Sequence, residues 1–172
     1  SAASDVYKRQ GVGDSDGITV TVTLKDANNN PVPNTEVTLS ITGSSNYING
    51  STEGNGPTSI GSTNAAGVAV GVIKSTKAEA MYRSAAGGGI ALDDTETVTY
   101  TPGEATRLTV TGITDPVTAG VASDVVVTAY DEFNNVAAGY TGTIIFTSSD
   151  GQAVLPSTGL TFVGSDNGTK TF

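Results

Sequence analysis

The residues in this chain best suited to chemistry carry oxygen and lie in turn-like stretches. Asp26, Asn28 and Asn30 stand at alternate positions, and Asp131 with Asn134 lies at the matching place further on. Calcium takes roughly six to eight such oxygens. Tight turns select the same residue types, because Asp and Asn side chains bond backbone N–H groups two residues on. The turn reading is preferred, and calcium stays as the lesser alternative. Asp14-Ser15-Asp16-Gly17 opens like a calcium loop but lacks the spaced ligands and closing Glu, so it reads as a solvated turn. Glu104 and Asp115 flank a Pro-Gly junction, where a bridging cation would stiffen the joint.

Other reactive constellations are weaker. The chain has no His and no Cys, which removes thiolate and imidazole catalysis and the usual zinc ligands. Asp93 and Asp94 are adjacent, so on a strand they point to opposite faces, and a glycosidase pair must face one cleft. Lys25, near several Asn and Glu residues, raises a Lys–Asn isopeptide bond, but at a strand end it reads as solvent-facing. Asn49-Gly50-Ser51 and Asn167-Gly168-Thr169 match the glycosylation sequon, although Asn-Gly is first a hairpin-turn dipeptide. No catalytic, cofactor-binding or metal residue is assigned, no cofactor is expected, and the chain is not expected to be an enzyme. The net charge of −9 opposes binding to nucleic acid or anionic membrane. No apolar run approaches the roughly 18 residues needed to span a bilayer.

The elements that must position these residues are strands. Ile18, Val20, Val22 and Leu24 alternate with Thr19, Thr21, Thr23 and Lys25, a period of two that buries one face. The same pattern marks Val37, Leu39 and Ile41; then Val68, Val70 and Val72; then Ala80 and Tyr82; then Val98 and Tyr100. Residues 43–62, rich in Gly, Ser and Asn, read as a long loop with one short strand near Tyr47 and Ile48. No helical period intervenes, so the class is all-β.

The chain also repeats itself. Val20 to Asp26 matches Val125 to Asp131 at a constant offset of 105, which carries Asn29-Asn30 onto Asn134-Asn135, Leu39 onto Ile144 and Ile41 onto Phe146. Gly67 then meets Gly168 at an offset of 101. Thr101-Pro102-Gly103-Glu104 separates the copies, and the next strand begins near Arg107 with Leu108 and Val110.

Residues 18–100 resemble the bacterial immunoglobulin-like domains of the invasin and intimin type. The segments that carry the likeness are Val20 to Asn28, Pro31-Val32-Pro33, Val37-Thr38-Leu39, Thr63 to Ala69, and Lys74 to Ala78. The second copy, with Leu108 to Gly112, Gly139 to Thr143 and Phe146 to Asp150, is similar to repeats found in tandem in large bacterial extracellular proteins.

The resulting expectation is two tandem immunoglobulin-like β-sandwiches. Residues 1–10, with Asp5-Val6-Tyr7-Lys8-Arg9-Gln10, read as a non-native adapter-derived segment and are set aside. Residues 11–102 form domain 1, with its first strand missing. Residues 103–172 form domain 2, truncated at its C-terminus, without counterparts of the strands at Ala80–Tyr82 and Val98–Tyr100, and expected not to fold alone. The resemblance implies a spacer in a bacterial cell-surface or secreted adhesin, beside neighbouring repeats, whose protein or glycan receptor is met elsewhere. The other reading is an accessory module of a polysaccharide-active enzyme, in which Tyr130, Phe133 and Tyr140 would stack on sugars.

Overall fold

The computed structural model describes residues 10–11, 17–50, 54–92, 96–113, 115–157 and 159–172. They are all-β, with a single 3-10 turn at Gly164–Asp166 among the described residues. The chain divides into two compact units, Ser1–Thr101 and Pro102–Phe172, one residue before the boundary read from the sequence.

The first unit contains β1 (Gln10–Gly11), β2 (Ile18–Thr23), β3 (Glu36–Ile41), β4 (Asn46–Ile48), β5 (Thr58–Ser62), β6 (Val68–Ser75), β7 (Ala80–Gly87), β8 (Ile90–Ala91) and β9 (Glu96–Thr101). One sheet runs β2-β6-β4; the other runs β1-β9-β7-β3-β5, with β8 paired to β7. The sheets meet face to face in an immunoglobulin-like sandwich, and among the contacts that cross between them are three. A Cβ on Gly71 of β6 would lie 2.7 Å from Ile60 of β5, and one on Gly87 of β7 would lie 2.5 Å from Leu24, just after β2. The third is a hydrogen bond from the Tyr100 hydroxyl to the Ile73 carbonyl at 3.3 Å. Two expectations need correcting here. Gln10, set aside with residues 1–10, pairs in parallel with Tyr100 and closes an edge that was read as empty. Within the expected long loop, β5 pairs with β3 and buries Ile60.

Alternation on β2 and β3 runs as expected: Ile18, Val20, Val22 and Leu24 are buried, as are Val37, Leu39 and Ile41. On β6 the phase is the reverse. Val70 is 52% exposed, while Ala69 and Ile73 are buried. The cause is register: Val20 pairs with Gly71 and Val22 with Ala69, and cross-strand partners share a face. β7 reverses likewise, with Tyr82 60% exposed and Met81 and Arg83 turned inward. Burial lowers the Arg83 pKa from its ordinary value. Val98 and Tyr100 of β9 are buried as expected.

Among the described residues the second unit has one sheet, ordered β10 (Arg107–Thr111), β11 (Val126–Tyr130) and β12 (Thr169–Thr171). Facing it, Thr143 bridges Thr161, Ile144 N–H donates to Leu160, and Phe162 N–H donates to Gly142. Val127, Ile144 and Phe162 form the core, flanked by Tyr140, Phe146, Leu160 and Phe172. Tyr140 and Phe146 meet Phe162 and Phe172 respectively edge-on, with ring centroids 5.0 and 5.5 Å apart. Leu108 and Val110 pair with Ala129 and Val127, so they share the core face, yet they are 41% and 54% exposed.

Two outcomes test this packing. Gly71→Val should cost about 1–3 kcal/mol in urea unfolding by overpacking against Ile60 and Leu39, while Val70→Ala should change stability by less than about 0.5 kcal/mol. Burial pushes the Tyr100 hydroxyl up from 10.0 to about 12, so the folded state favours its neutral form. Its contribution is therefore complete below pH 10.0 and falls as pH rises toward about 12. Phenolate absorbance and alkaline unfolding should show that step in the parent chain, and Tyr100→Phe should remove it.

Candidate functional site: the paired Asx turns

The two oxygen-rich turns are one structure built twice. Asp26 Oδ1 accepts the N–H groups of Asn28 and Asn30 at 2.9 and 2.8 Å. Asp131 Oδ1 accepts those of Phe133 and Asn135, both at 2.9 Å. Asn30 Nδ2 donates to Asp26 Oδ2 at 3.0 Å, and Asn135 Nδ2 to Asp131 Oδ2 at 3.0 Å. Each turn needs one residue in the left-handed region, and Asn supplies it both times, with φ of 67° at Asn29 and 64° at Asn134. A glycine seals each turn from below. Gly67 and Gly168 have φ of 74° and 76°, and their carbonyls accept the N–H of Leu24 and of Ala129, both at 2.8 Å. A Cβ at either would lie 2.5 or 2.6 Å from a backbone carbonyl oxygen, so only glycine fits. The repeat along the sequence is thus carried by hydrogen bonds at equivalent atoms.

The turns differ in their surroundings. Asp26 is exposed, whereas Asp131 is 2% exposed and its Oδ2 also accepts the Gly103 N–H at 3.0 Å. Burial alone would raise the Asp131 pKa. The donors from Asn135, Gly103 and Phe133 outweigh it and hold the carboxyl below its usual value. For Asp26, Asn30 is the chief cause of a shift in the same direction. In both turns the carboxylate oxygens accept N–H groups, which is the arrangement of a turn.

Beside the buried turn lies a cleft of about 430 Å³ lined by Pro102, Gly103, Glu104, Ala105, Ala137, Tyr140 and the glycines of residues 139–142. Glu104 contributes to it, but Asp115 is exposed and is not among the lining residues, so the structure does not gather these two into one site. Among the described residues, no three acidic side chains cluster to hold a metal. Asp14 to Asp16, Asp93, Asp94 and Ser51 lie outside the described residues. Lys25 is exposed in a bridge with Pro31. Asn49 occupies a turn and accepts the Val72 N–H at 2.8 Å, while Asn167 caps the 3-10 turn with φ of 48°.

The three aromatics considered for sugar stacking do not make one platform. Tyr140 is partly buried and packs edge-on against Phe162, and the Tyr130 ring lies under the Arg107 guanidinium at 4.7 Å. Arg107 also donates to Asn134 Oδ1 at 2.8 Å, so it is tied to the turn. The sequence reading missed Lys170. It sits opposite Val127 on β12, donates to the Thr161 carbonyl at 2.8 Å and pairs with Asp166 at 3.0 Å. Asp166 is held below the usual carboxylate range, first by the Val163 N–H and then by Lys170.

No family model and no curated protein matches the sequence. Solved structures do match. FdeC, an Escherichia coli adhesin, aligns over 81% of this chain and 43% of its own, with a TM-score of 0.54 at 17% identity. InvD of Yersinia pseudotuberculosis aligns over 78% of this chain and 42% of its own, with a TM-score of 0.53 at 20% identity. The chain shares the fold of these proteins, an immunoglobulin-like sandwich, and spans less than half the length of either.

Asp131→Ala should destabilise the second unit by about 1–3 kcal/mol, since it strands buried donors, and the exposed Asp26→Ala should destabilise the first unit less. Differential scanning calorimetry of both variants checks the difference. Millimolar calcium should leave the parent transition in place, because N–H groups already face the carboxylate oxygens.

Proposed function

We propose that the chain is a non-catalytic structural module of a bacterial cell-surface or secreted adhesin, whose immunoglobulin-like units space a distal binding region away from its anchor. The observation that carries this reading is the fold shared with the adhesin FdeC over 81% of the chain. The doubled turn supports it, because one solution to closing a sandwich is repeated where a spacer requires repetition. A chain without His or Cys also lacks the side chains most used in nucleophilic and acid–base catalysis. The partners are neighbouring repeats, and receptor contact belongs to regions beyond these two units.

The carbohydrate-binding alternative draws no specific support from Tyr140, which is partly buried and packs against the core cluster. The purified chain should show no saturable binding on a glycan array or on epithelial cells. Saturable glycan binding that disappears in Tyr130→Ala or Phe133→Ala, with the fold retained by circular dichroism, would replace the spacer reading with a carbohydrate-binding one.

A further inference from the structure

The Asp131 carboxylate makes four contacts inside its own turn and one far outside it. The local ones come from Phe133 N–H, Asn135 N–H and the Asn135 amide, which reaches both oxygens at 3.3 and 3.0 Å. The distant one comes from Gly103 N–H, 28 residues earlier. Asp26 builds the same turn from local contacts while exposed, so local contacts suffice for the turn. The Gly103 bond must therefore serve something else. It fastens the segment after Pro102 to the turn, and Thr106 N–H fastens it again to the Tyr130 carbonyl at 2.8 Å. Gly103–Ala105 is thus bracketed between two hydrogen bonds and forms one wall of the cleft over Tyr140.

We propose that Asp131 is a charge-dependent latch which makes Gly103 to Ala105 part of the folded second unit, and that protonation of its carboxylate releases this segment without dissolving the turn's core. Protonation turns one acceptor oxygen into an O–H donor, which cannot serve Gly103 N–H and the Asn135 amide as before. The charged or titratable residues on the packed segments are Glu104 on the linker, Arg107 on β10, Tyr130 on β11, Glu132 in the turn and Tyr140 beyond it. Arg107 is engaged with Asn134 and the Tyr130 ring, so amide donors stabilise the charge. With the folded carboxyl held low, the latch is complete above the ordinary value of 3.8 and opens as pH falls through the lower folded one. This latch holds whether or not the chain acts as a spacer.

Amide hydrogen exchange on the full chain, read by NMR, tests it. Gly103 protection should fall by about tenfold or more in Asp131→Asn at neutral pH, and in the parent chain at acid pH, while Ala129 and Ala137 stay protected. Unchanged Gly103 protection overturns the proposal. If Asp131→Asn also loses Ala129 protection, Gly103→Pro decides, because it deletes the distant donor and leaves the carboxylate and its local donors in place. The Asp131 carboxyl titration, followed by carbon-detected NMR, should then move up toward its ordinary value, and an unmoved titration overturns the latch.

Discussion

Paired strands must turn the same face to the same layer, and in the first unit this rule, acting between β2 and β6, decides what the sandwich contains. Once Ile18, Val20 and Val22 point inward, Ile73, Gly71 and Ala69 must follow. Two of those three residues are small, and the space that Gly71 leaves is filled from the opposite sheet by Ile60 and Leu39. Large residues on one strand and small ones on its neighbour let the two layers interdigitate at close-packed density. The cross-sheet hydrogen bond of Tyr100 and the seating of Leu24 over Gly87 both depend on that fit.

The same rule explains which parts of the fold were legible beforehand. β2 and β3 are apolar on one face and polar on the other, so their phase is written in the alternation. β6 is apolar on both faces: Val68, Val70 and Val72 look like the core side, while the inward set is Ala69, Gly71, Ile73 and Ser75. Pattern alone ranks Val above Gly, and only the partner strand reverses the order. β7 misleads for another reason, since its inward set includes Arg83, a long side chain whose apolar stem can line a core. β5 carries a single buried apolar residue in a Gly- and Ser-rich stretch, too faint for any alternation to show.

The candidate site was visible as composition and hidden as geometry. Asp and Asn spacing marked both turns, and backbone chemistry within four residues is enough to build them. What distinguishes them is Gly103, a residue with no side chain and a separation of 28 positions, and no local pattern carries that information. Lys170 was missed for a similar reason. Its role lies in reaching across to Thr161 and Asp166, while its ladder position in the other copy belongs to Ala69.

The twin turns have a bearing on how the two copies can drift apart. Interior positions have already exchanged, with Leu24 against Ala129, Leu39 against Ile144 and Ile41 against Phe146, because volume lost at one site is recoverable at another. Asn29 with Asn134 and Gly67 with Gly168 have no such freedom, since backbone dihedrals have no neighbour to compensate them. Ancestry in arrays of this kind should therefore survive longest in a few turn-forming letters and fade first from the hydrophobic interior.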